Sequence, residues 1–256
     1  YPEGVVPKEY KDKKNWEQLI NGVNIHRCYE IGRGNSKLKL FLNYYSVCLS
    51  MKKKARKTKE KYDIVLVNQL SPVMVAWAGI KYAKKHNVPC LLYCYDLWPD
   101  SLAAGGIGNN NPIFKYFYRV SNKCYSRVDK IMVTSKSFIS YFTDYHKISS
   151  DKLGYLPQYC EDLFDNKIEK EKTDDSINYV FAGNIGKMQS VETIIKAASL
   201  VKNDKIKIHI VGDGSSLEDC KKLVEELKLA NVIFYGKRPL EEMPKFYSLA
   251  DAMLVT

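Results

Sequence analysis

The sequence predicts an α/β protein with two Rossmann-like domains, each built on a parallel β-sheet. Short runs rich in β-branched residues alternate with stretches of helical period, and this alternation is typical of βαβ units. The runs are apolar at consecutive positions, which indicates strands buried on both faces. A charged stretch without apolar period interrupts the alternation once, and the pattern then starts again.

In the first half we predict strands at 63–68 (DIVLVN), 90–95 (CLLYCY) and 130–135 (KIMVTS). Helical spacing of apolar residues predicts helices near 72–86, 112–126 and 136–145. Upstream, a further amphipathic stretch is predicted to end in the basic run KKKARKTKEK at 52–61. Its apolar residues recur at helical spacing and are Leu38, Phe41, Leu42, Tyr45, Cys48 and Leu49.

In the second half we predict strands at 177–183, 206–212, 232–236 and 252–256, with helices at 190–202, 215–229 and 240–250. The charged stretch before them is interpreted as a linker at 166–176. The expected domains are therefore 1–165 and 177–256. Because the chain opens at Tyr1 without methionine and stops within an apolar run, we expect a fragment whose second domain is truncated.

Composition excludes several classes of protein. A hydrophobic content of 45% is normal for a globular protein. The sequence has neither an apolar run of bilayer length nor a secretion signal, so we expect it to work in the cytosol or on a surface facing it. Seven cysteines without a C-x-x-C pair and four scattered histidines do not form a metal-binding pattern.

The formal charge of +11 requires an anionic partner or surface. The run at 52–61 holds seven basic residues and one acid. It is either a solvated helix terminus, with lysines near the negative end of the helix dipole, or a contact with anionic lipid headgroups. We expect no nucleic-acid partner, because the aromatic residues form no RNA-binding motif and no zinc-finger spacing is present.

Glycine follows three consecutive strands of the second domain. The turns read FAGNIG (Gly183, Gly186), VGDG (Gly212, Gly214) and FYGKRP (Gly236). The carboxyl ends of parallel strands lie at one sheet edge, where ligands bind in α/β proteins. Glycines there admit a close backbone approach, and a helix N-terminus with Lys187 would attract an anion. We interpret this edge as a site for a nucleotide diphosphate, the alternative being turns that only close βα connections.

The stretch DLWPDS follows the predicted strand at 90–95. Asp96 and Asp100 would then lie at the carboxyl edge of the first sheet. Either carboxylate could orient or deprotonate a hydroxyl group. Alternatively, an aspartate after a strand caps the next turn, and Trp98–Pro99 forms a packed corner.

These segments resemble the glycosyltransferases of family 4, which have the GT-B fold and retain anomeric configuration. The resemblance rests on FAGNIGKMQSVETIIKAA, on IHIVGDGSSLEDC with its continuation through FYGKRP to SLADAMLV, and on YCYDLWPDSL and VTSKSF. It covers essentially the whole chain and is strongest over 178–256. The most similar branch is that of bacterial enzymes that transfer N-acetylated amino sugars for surface polysaccharides.

The resemblance implies which residues contact the nucleotide sugar. Diphosphate contacts would fall on Gly183, Asn184, Gly186 and Lys187, and further donor contacts on Gly212, Asp213 and Gly214. The base would contact the backbone of Tyr235, Gly236, Lys237 and Arg238.

The chain departs from the family pattern at two positions. The commonest pattern has arginine directly after the first glycine and lysine five residues later, whereas this chain has Asn184 and Gln189. Lys187 must then supply the charge. A paired-glutamate signature of the family is expected beyond residue 256.

The implied reaction transfers a UDP-linked N-acetylated sugar to a hydroxyl of a glycan or lipid-linked acceptor with retention. It requires no cofactor and no metal. The expected location is cytoplasmic, with peripheral attachment to an anionic membrane through 38–61. The alternatives are a GT-B sugar-nucleotide epimerase and a non-catalytic module that binds nucleotides or membranes.

Overall fold

The computed structural model describes residues 6–33, 36–104, 106–165 and 175–256. The chain divides into two compact units between Gln158 and Tyr159. Most of the predicted linker, 166–174, lies outside the described residues. Each unit contains a four-stranded parallel sheet, so the predicted α/β class with two parallel sheets is confirmed.

In the described part of the first unit, a 3-10 segment at Lys8–Lys13 precedes an antiparallel hairpin, which is followed by a long helix and then by alternating strands and helices. The elements are β1 (Glu17–Ile20), β2 (Val23–His26), α1 (Lys37–Lys57), β3 (Val65–Gln69), α2 (Ala76–His86), β4 (Cys90–Cys94), α3 (Ser101–Ala104), α4 (Pro112–Tyr125), β5 (Lys130–Val133), α5 (Ser137–Ser140) and β6 (Leu153–Tyr155). The parallel sheet has the order β3-β4-β5-β6.

Local sequence explains where the two longest helices of this unit begin. Ser36 accepts a hydrogen bond from the Lys39 amide at 3.2 Å and caps α1. Asn111 caps α4 by accepting from the Ile113 amide at 2.9 Å, and Pro112 occupies the first turn of that helix. Both helices therefore begin where side-chain oxygens satisfy otherwise free amides.

The predicted helical stretch at 136–145 is helical over 137–145, but its helix type changes along its length. Only 137–140 are α-helical, and 141–145 form a π-helical turn. The wider turn belongs to the segment that carries Tyr141 and leads to His146, both of which contact neighbouring polar groups. These tertiary contacts override the helical period in the sequence.

The second unit is an alternating α/β layer structure. Its elements are β7 (Ile177–Ala182), α6 (Val191–Leu200), β8 (Ile206–Val211), α7 (Leu217–Glu226), β9 (Val232–Gly236), α8 (Met243–Leu249) and β10 (Ala252–Leu254). The sheet order is β10-β7-β8-β9. The predicted strands of this unit match the observed ones to within two residues at each end.

The helices of the second unit lie on both faces of the sheet. Residues of α6 and α7, including Ile195 and Cys220, pack with Ile208 and Ile210. On the opposite face Phe246 of α8 packs with Val180 and Val211. The chain thus changes face between β9 and β10, and the sheet order reverses between β7 and β10. This is the topological switch point at which α/β proteins bind ligands.

No helix in the described parts of the chain is both long and apolar enough to cross a lipid bilayer.

Candidate functional site

The loops after β7, β8 and β9 meet at one edge of the second sheet. The Gly183 amide donates to the Val211 carbonyl at 2.9 Å, and the Gly212 amide donates to the Gly236 carbonyl at 2.9 Å. The structure therefore brings together the three glycine turns that the sequence places after separate strands.

The loops after β7 and β8 also interlock through their backbones. The Ile185 amide donates to the Asp213 carbonyl at 2.8 Å, and the Ser216 amide donates to the Ile185 carbonyl at 2.9 Å. Ile185 is fully buried between these contacts. The first glycine turn is thus held on both sides of Ile185 by the loop that follows the next strand.

Two glycines are required by this loop contact. A Cβ at Gly212 would lie 1.8 Å from the Gly183 carbonyl oxygen, and Gly212 has a φ of +143°. A Cβ at Gly214 would lie 2.4 Å from the Ile185 carbonyl oxygen. Only residues without a Cβ allow these backbones to approach. Packing between loops alone accounts for glycine at both positions.

The turn at 183–187 leaves hydrogen-bond donors available. Among the described residues, the amides of Asn184, Gly186 and Lys187 have no acceptor; Asn184 and Lys187 are exposed, whereas Gly186 is buried. Lys187 is exposed and forms no ion pair within the described part of the chain. Free amides beside an ammonium group form a local concentration of positive charge suited to an anion.

Asn184 and Gln189 close this turn with a neutral contact. Nδ2 of Asn184 donates to Oε1 of Gln189 at 2.9 Å. A Cβ at Gly186 would lie 2.6 Å from Asn184 Nδ2, so the pair lies directly beside this glycine. The two positions that depart from the commonest family pattern therefore contact each other.

At the end of β9, the side chains of Tyr235 and Arg238 contact other residues of the protein. The hydroxyl of Tyr235 lies 2.8 Å from Nδ1 of His209, and its ring packs edge-on against Phe246. Arg238 donates from Nε to the Tyr235 carbonyl at 3.0 Å and lies 3.7 Å from the Glu242 carboxylate.

The side chains of Tyr235 and Arg238 thus already have protein partners. The Lys237 side chain is exposed, whereas Gly236 is half-buried and its carbonyl accepts from the Gly212 amide. Asp213 uses one carboxylate oxygen to accept from the Gly214 amide at 2.7 Å.

In the first unit, Asp96 lies just beyond the carboxyl end of β4. Its Oδ2 accepts from the Ser71 hydroxyl at 2.7 Å, and the Trp98 indole donates to the same hydroxyl at 2.9 Å. Its backbone carbonyl accepts from the buried Gln69 amide group at 3.0 Å. Asp96 is half-buried, and no partner of its second carboxylate oxygen is found among the described residues.

Asp100 belongs to a more enclosed polar network. The Tyr141 hydroxyl donates to Asp100 Oδ2 and also lies 3.1 Å from His146 Nε2. His146 Nδ1 lies 2.5 Å from Oδ1 of Asn122. The Tyr141 hydroxyl is also 3.2 Å from the Trp98 carbonyl, so this network is anchored to the corner between the two aspartates.

Burial determines the protonation states in this network. Desolvation raises the pKa of Tyr141, and its contact with Asp100 raises it further. Desolvation lowers the pKa of His146 to about 4, against an opposing effect of Asp100. Tyr141 is therefore a stable hydroxyl donor, and His146 is uncharged at neutral pH.

The sequence analysis did not indicate the residues that contact the two predicted aspartates. Ser71, Tyr141 and His146 are distant from DLWPDS along the chain and match no spacing rule. The signal available was weak: Tyr141 and His146 lie in a tyrosine-rich stretch, YFTDYH, after a predicted strand. Among the described residues no group of three or more His, Cys, Asp or Glu side chains is arranged to hold a metal ion.

Comparison with known families decides the assignment of the chain. Residues 8–158 match the family model described as Glycosyltransferase Family 4, and residues 164–256 match that of glycosyl transferases group 1. The chain belongs to glycosyltransferase family 4. The predicted family resemblance is confirmed.

Two curated relatives of this family 4 chain come from bacteria. It is 26% identical over 180 residues to a probable glycosyltransferase, WbjE, of Pseudomonas aeruginosa, a match covering 65% of this chain and 44% of the relative. It is 20% identical to the putative colanic acid biosynthesis glycosyl transferase WcaI of Escherichia coli, over 72% of this chain and 48% of the relative. The chain spans about half the length of these relatives.

Solved structures show the same fold. A structure of Anabaena HepE in complex with UDP and glucose aligns with a TM-score of 0.61 at 12% identity, covering 86% of this chain and 58% of HepE. The lipopolysaccharide outer core galactosyltransferase WaaB aligns with a TM-score of 0.56 at 18% identity, over 96% of this chain and 62% of WaaB. These likenesses confirm the predicted GT-B fold class.

The contact between the two glycine loops predicts unequal effects of alanine substitution. Gly212→Ala should lower the free energy of unfolding of the second unit by roughly 3 kcal/mol, because the new Cβ collides with a fixed carbonyl. Gly236→Ala is the control: its φ is +69° but no atom lies within 4 Å of the new Cβ, so about 1 kcal/mol is expected. Urea titration, with hydrogen exchange to assign the transition, measures both. Equal losses would contradict the loop contact.

His146 predicts a pH dependence of the first unit. The unfolded imidazole, with a pKa of about 6.5, binds a proton in a range where the folded form, with a pKa of about 4, stays neutral. The contribution of His146 to the free energy of unfolding is therefore complete above about pH 6.5 and decreases as the pH is lowered towards 4.

His146→Phe should flatten the melting temperature profile between pH 6.5 and 4 relative to that of the wild type. An unchanged slope in His146→Phe would show that other groups cause the acid sensitivity.

Proposed function

We propose that this protein transfers a sugar from a nucleotide diphosphate, with UDP as the expected nucleotide and an N-acetylated sugar as the donor group. The observation that carries the proposal is the junction of the three glycine loops at the switch-point edge of the second sheet. There the amides of Asn184 and Lys187 have no acceptor among the described residues, and the exposed Lys187 ammonium forms no ion pair with them. HepE, whose fold is similar, was solved with UDP-glucose, which supports the same ligand class here.

The chemistry follows from where charge develops. As the glycosidic bond breaks, negative charge accumulates on the leaving diphosphate, and preorganised amides with Lys187 stabilise that charge more than the ground state. Retention at the anomeric carbon is proposed from family membership, with the acceptor attacking on the face that the diphosphate leaves. The acceptor is proposed to be a hydroxyl of a glycan or lipid-linked saccharide, consistent with the name of the colanic acid relative.

We assign different roles to the two aspartates. Asp96 follows β4 directly and retains a carboxylate oxygen that can accept the proton of the acceptor hydroxyl. Asp100 is bound through Tyr141 to His146 and to the Trp98 carbonyl. These protein contacts favour a positioning role for Asp100, which fixes the corner that carries Asp96.

The location is proposed to be cytoplasmic, with the chain attached peripherally to an anionic membrane surface through 38–61. The structure supports exposure of the apolar residues in this segment, since Leu38, Phe41, Leu42 and Leu49 are all more than two-fifths exposed. Cys48, which shares their spacing, is instead fully buried in the core of the first unit.

The proposed donor site predicts a specific loss of affinity. Lys187→Ala should weaken UDP binding about tenfold, because one charge-assisted hydrogen bond to phosphate is removed. Lys196→Ala, an exposed lysine on α6 away from the loops, is the matched control and should leave affinity unchanged. Titration calorimetry with UDP measures both. Equal affinities of all three proteins would contradict the role of Lys187.

The aspartate assignment is tested by paired substitutions in the full-length protein. Asp96→Asn should lower kcat by 10² or more, as expected for loss of a general base, on the order of 10²–10⁴, with little change in melting temperature. Asp100→Asn should lower the melting temperature and reduce kcat less. The reverse pattern would exchange the two roles.

Incubation of the full-length protein with donor alone separates the remaining alternatives. A transferase gives only slow hydrolysis of the donor, whereas a sugar-nucleotide epimerase gives an isomeric donor. A non-catalytic binding module gives no product with any acceptor. Chromatography of the nucleotide sugars after incubation, with and without a glycan acceptor, distinguishes the three.

A further inference from the structure

A basic groove lies on the surface of the first unit and is lined mainly by side chains of α1, α2 and α4. It encloses about 610 Å³. Trp77 of α2 and Tyr116 of α4 contribute aromatic walls. Its cationic side chains are Lys52, Lys81, Lys84, Arg119, Lys123 and Arg127.

The charge of this basic groove is unbalanced. No acidic side chain lines it, and none of its six cations forms an ion pair in the part of the chain that the structure describes. All six cationic residues are exposed at the surface. Like charges gathered around one concavity repel each other and favour a bound anion.

The basic run predicted at 52–61 is divided by the fold. Lys52 turns into the basic groove, where its Nζ lies 5.5 Å from the centre of the Trp77 ring. Lys54 instead forms an ion pair with Glu17 of the hairpin at 2.6 Å. The basic groove therefore draws most of its charge from α2 and α4, a source that the linear run did not indicate.

An exposed apolar rim borders the basic groove. The hydroxyls of Tyr45 and Tyr116 lie 2.8 Å apart, and the Phe41 ring packs on Tyr45 at 4.5 Å. On the same two helices, α1 and α4, the side chains of Leu38, Leu42 and Ile113 are 68%, 42% and 48% exposed. A surface that combines cations with exposed aromatic and aliphatic side chains is typical of proteins that bind at a membrane interface.

We propose that the basic groove binds the phosphate headgroups of anionic lipids while the apolar rim enters the headgroup boundary. The proposal deepens the proposed membrane contact of 38–61, on which it rests, by naming the site and the lipid chemistry. Charge complementarity selects anionic lipid, and the rim selects a bilayer surface, because a free phosphate or a nucleic acid would leave the exposed leucines in water.

Vesicle flotation with the chain tests the proposal. Vesicles of phosphatidylcholine with phosphatidylglycerol should carry the protein, and vesicles of phosphatidylcholine alone should not. Arg119→Gln combined with Lys123→Gln should lower the partition coefficient roughly thirty-fold, since each basic residue near an anionic surface contributes about 1 kcal/mol. The matched control is Lys196→Gln combined with Lys222→Gln, exposed lysines of the second unit, and it should bind as the wild type does.

A second pair of substitutions tests the apolar rim separately. Leu38→Ser combined with Leu42→Ser keeps all six cations and should also reduce partitioning onto the same vesicles. Unchanged partitioning of the Arg119/Lys123 variant would overturn the proposal. So would binding of inorganic pyrophosphate or of a single-stranded oligonucleotide in the basic groove without any partitioning onto vesicles.

UDP affinity of each variant, measured by calorimetry, keeps this test independent of the donor site. The lipid variants should bind UDP as the wild type does. If the wild-type protein does not bind UDP, the proposed function is contradicted, but the conclusion about lipid binding is unaffected. Loss of vesicle binding with normal UDP affinity contradicts only the lipid proposal.

Discussion

The arrangement of the second unit depends on one close approach, that of the Gly212 backbone to the Gly183 carbonyl. Backbone hydrogen bonds from Gly183 to Val211 and from Gly212 to Gly236 join three loops into one edge. The loops satisfy part of their backbone groups among themselves, and the amides of Asn184 and Lys187 in the first turn are among those that have no acceptor in the described part of the chain. The close approach at Gly212 thus contributes to the shape of the edge at which these donors lie.

The first unit organises its carboxyl edge by a different means. Asp96 and Asp100 flank a corner whose fully enclosed Trp98 side chain donates to Ser71. The corner is joined to α5 and the following π turn through Tyr141. Side-chain hydrogen bonds in a low-dielectric setting therefore fix the acidic groups, whereas backbone packing fixes the glycine loops of the other unit.

The alternation of strands and helices was predictable because each element buries consecutive apolar residues or an apolar stripe. Two features were not predicted. The β1–β2 hairpin turns at Asn21 and Gly22, both with positive φ, and Asn-Gly is the preferred dipeptide of such turns, so the sequence does carry a local signal for this hairpin. The contacts of Tyr141 and His146 carry no local signal, since they join segments far apart in the chain. The glycine pattern predicted the converging loops, but only coordinates separate glycines that packing requires from those that leave room for a ligand.

The amide pair formed by Asn184 and Gln189 has a consequence for how a charged ligand would be captured. A turn closed by two uncharged side chains exerts little attraction over long distances, whereas two cations there would draw a pyrophosphate from several ångströms away. Within this turn, recognition of a pyrophosphate would then depend on the Lys187 ammonium and on short-range fit to the backbone rather than on the side chains at 184 and 189.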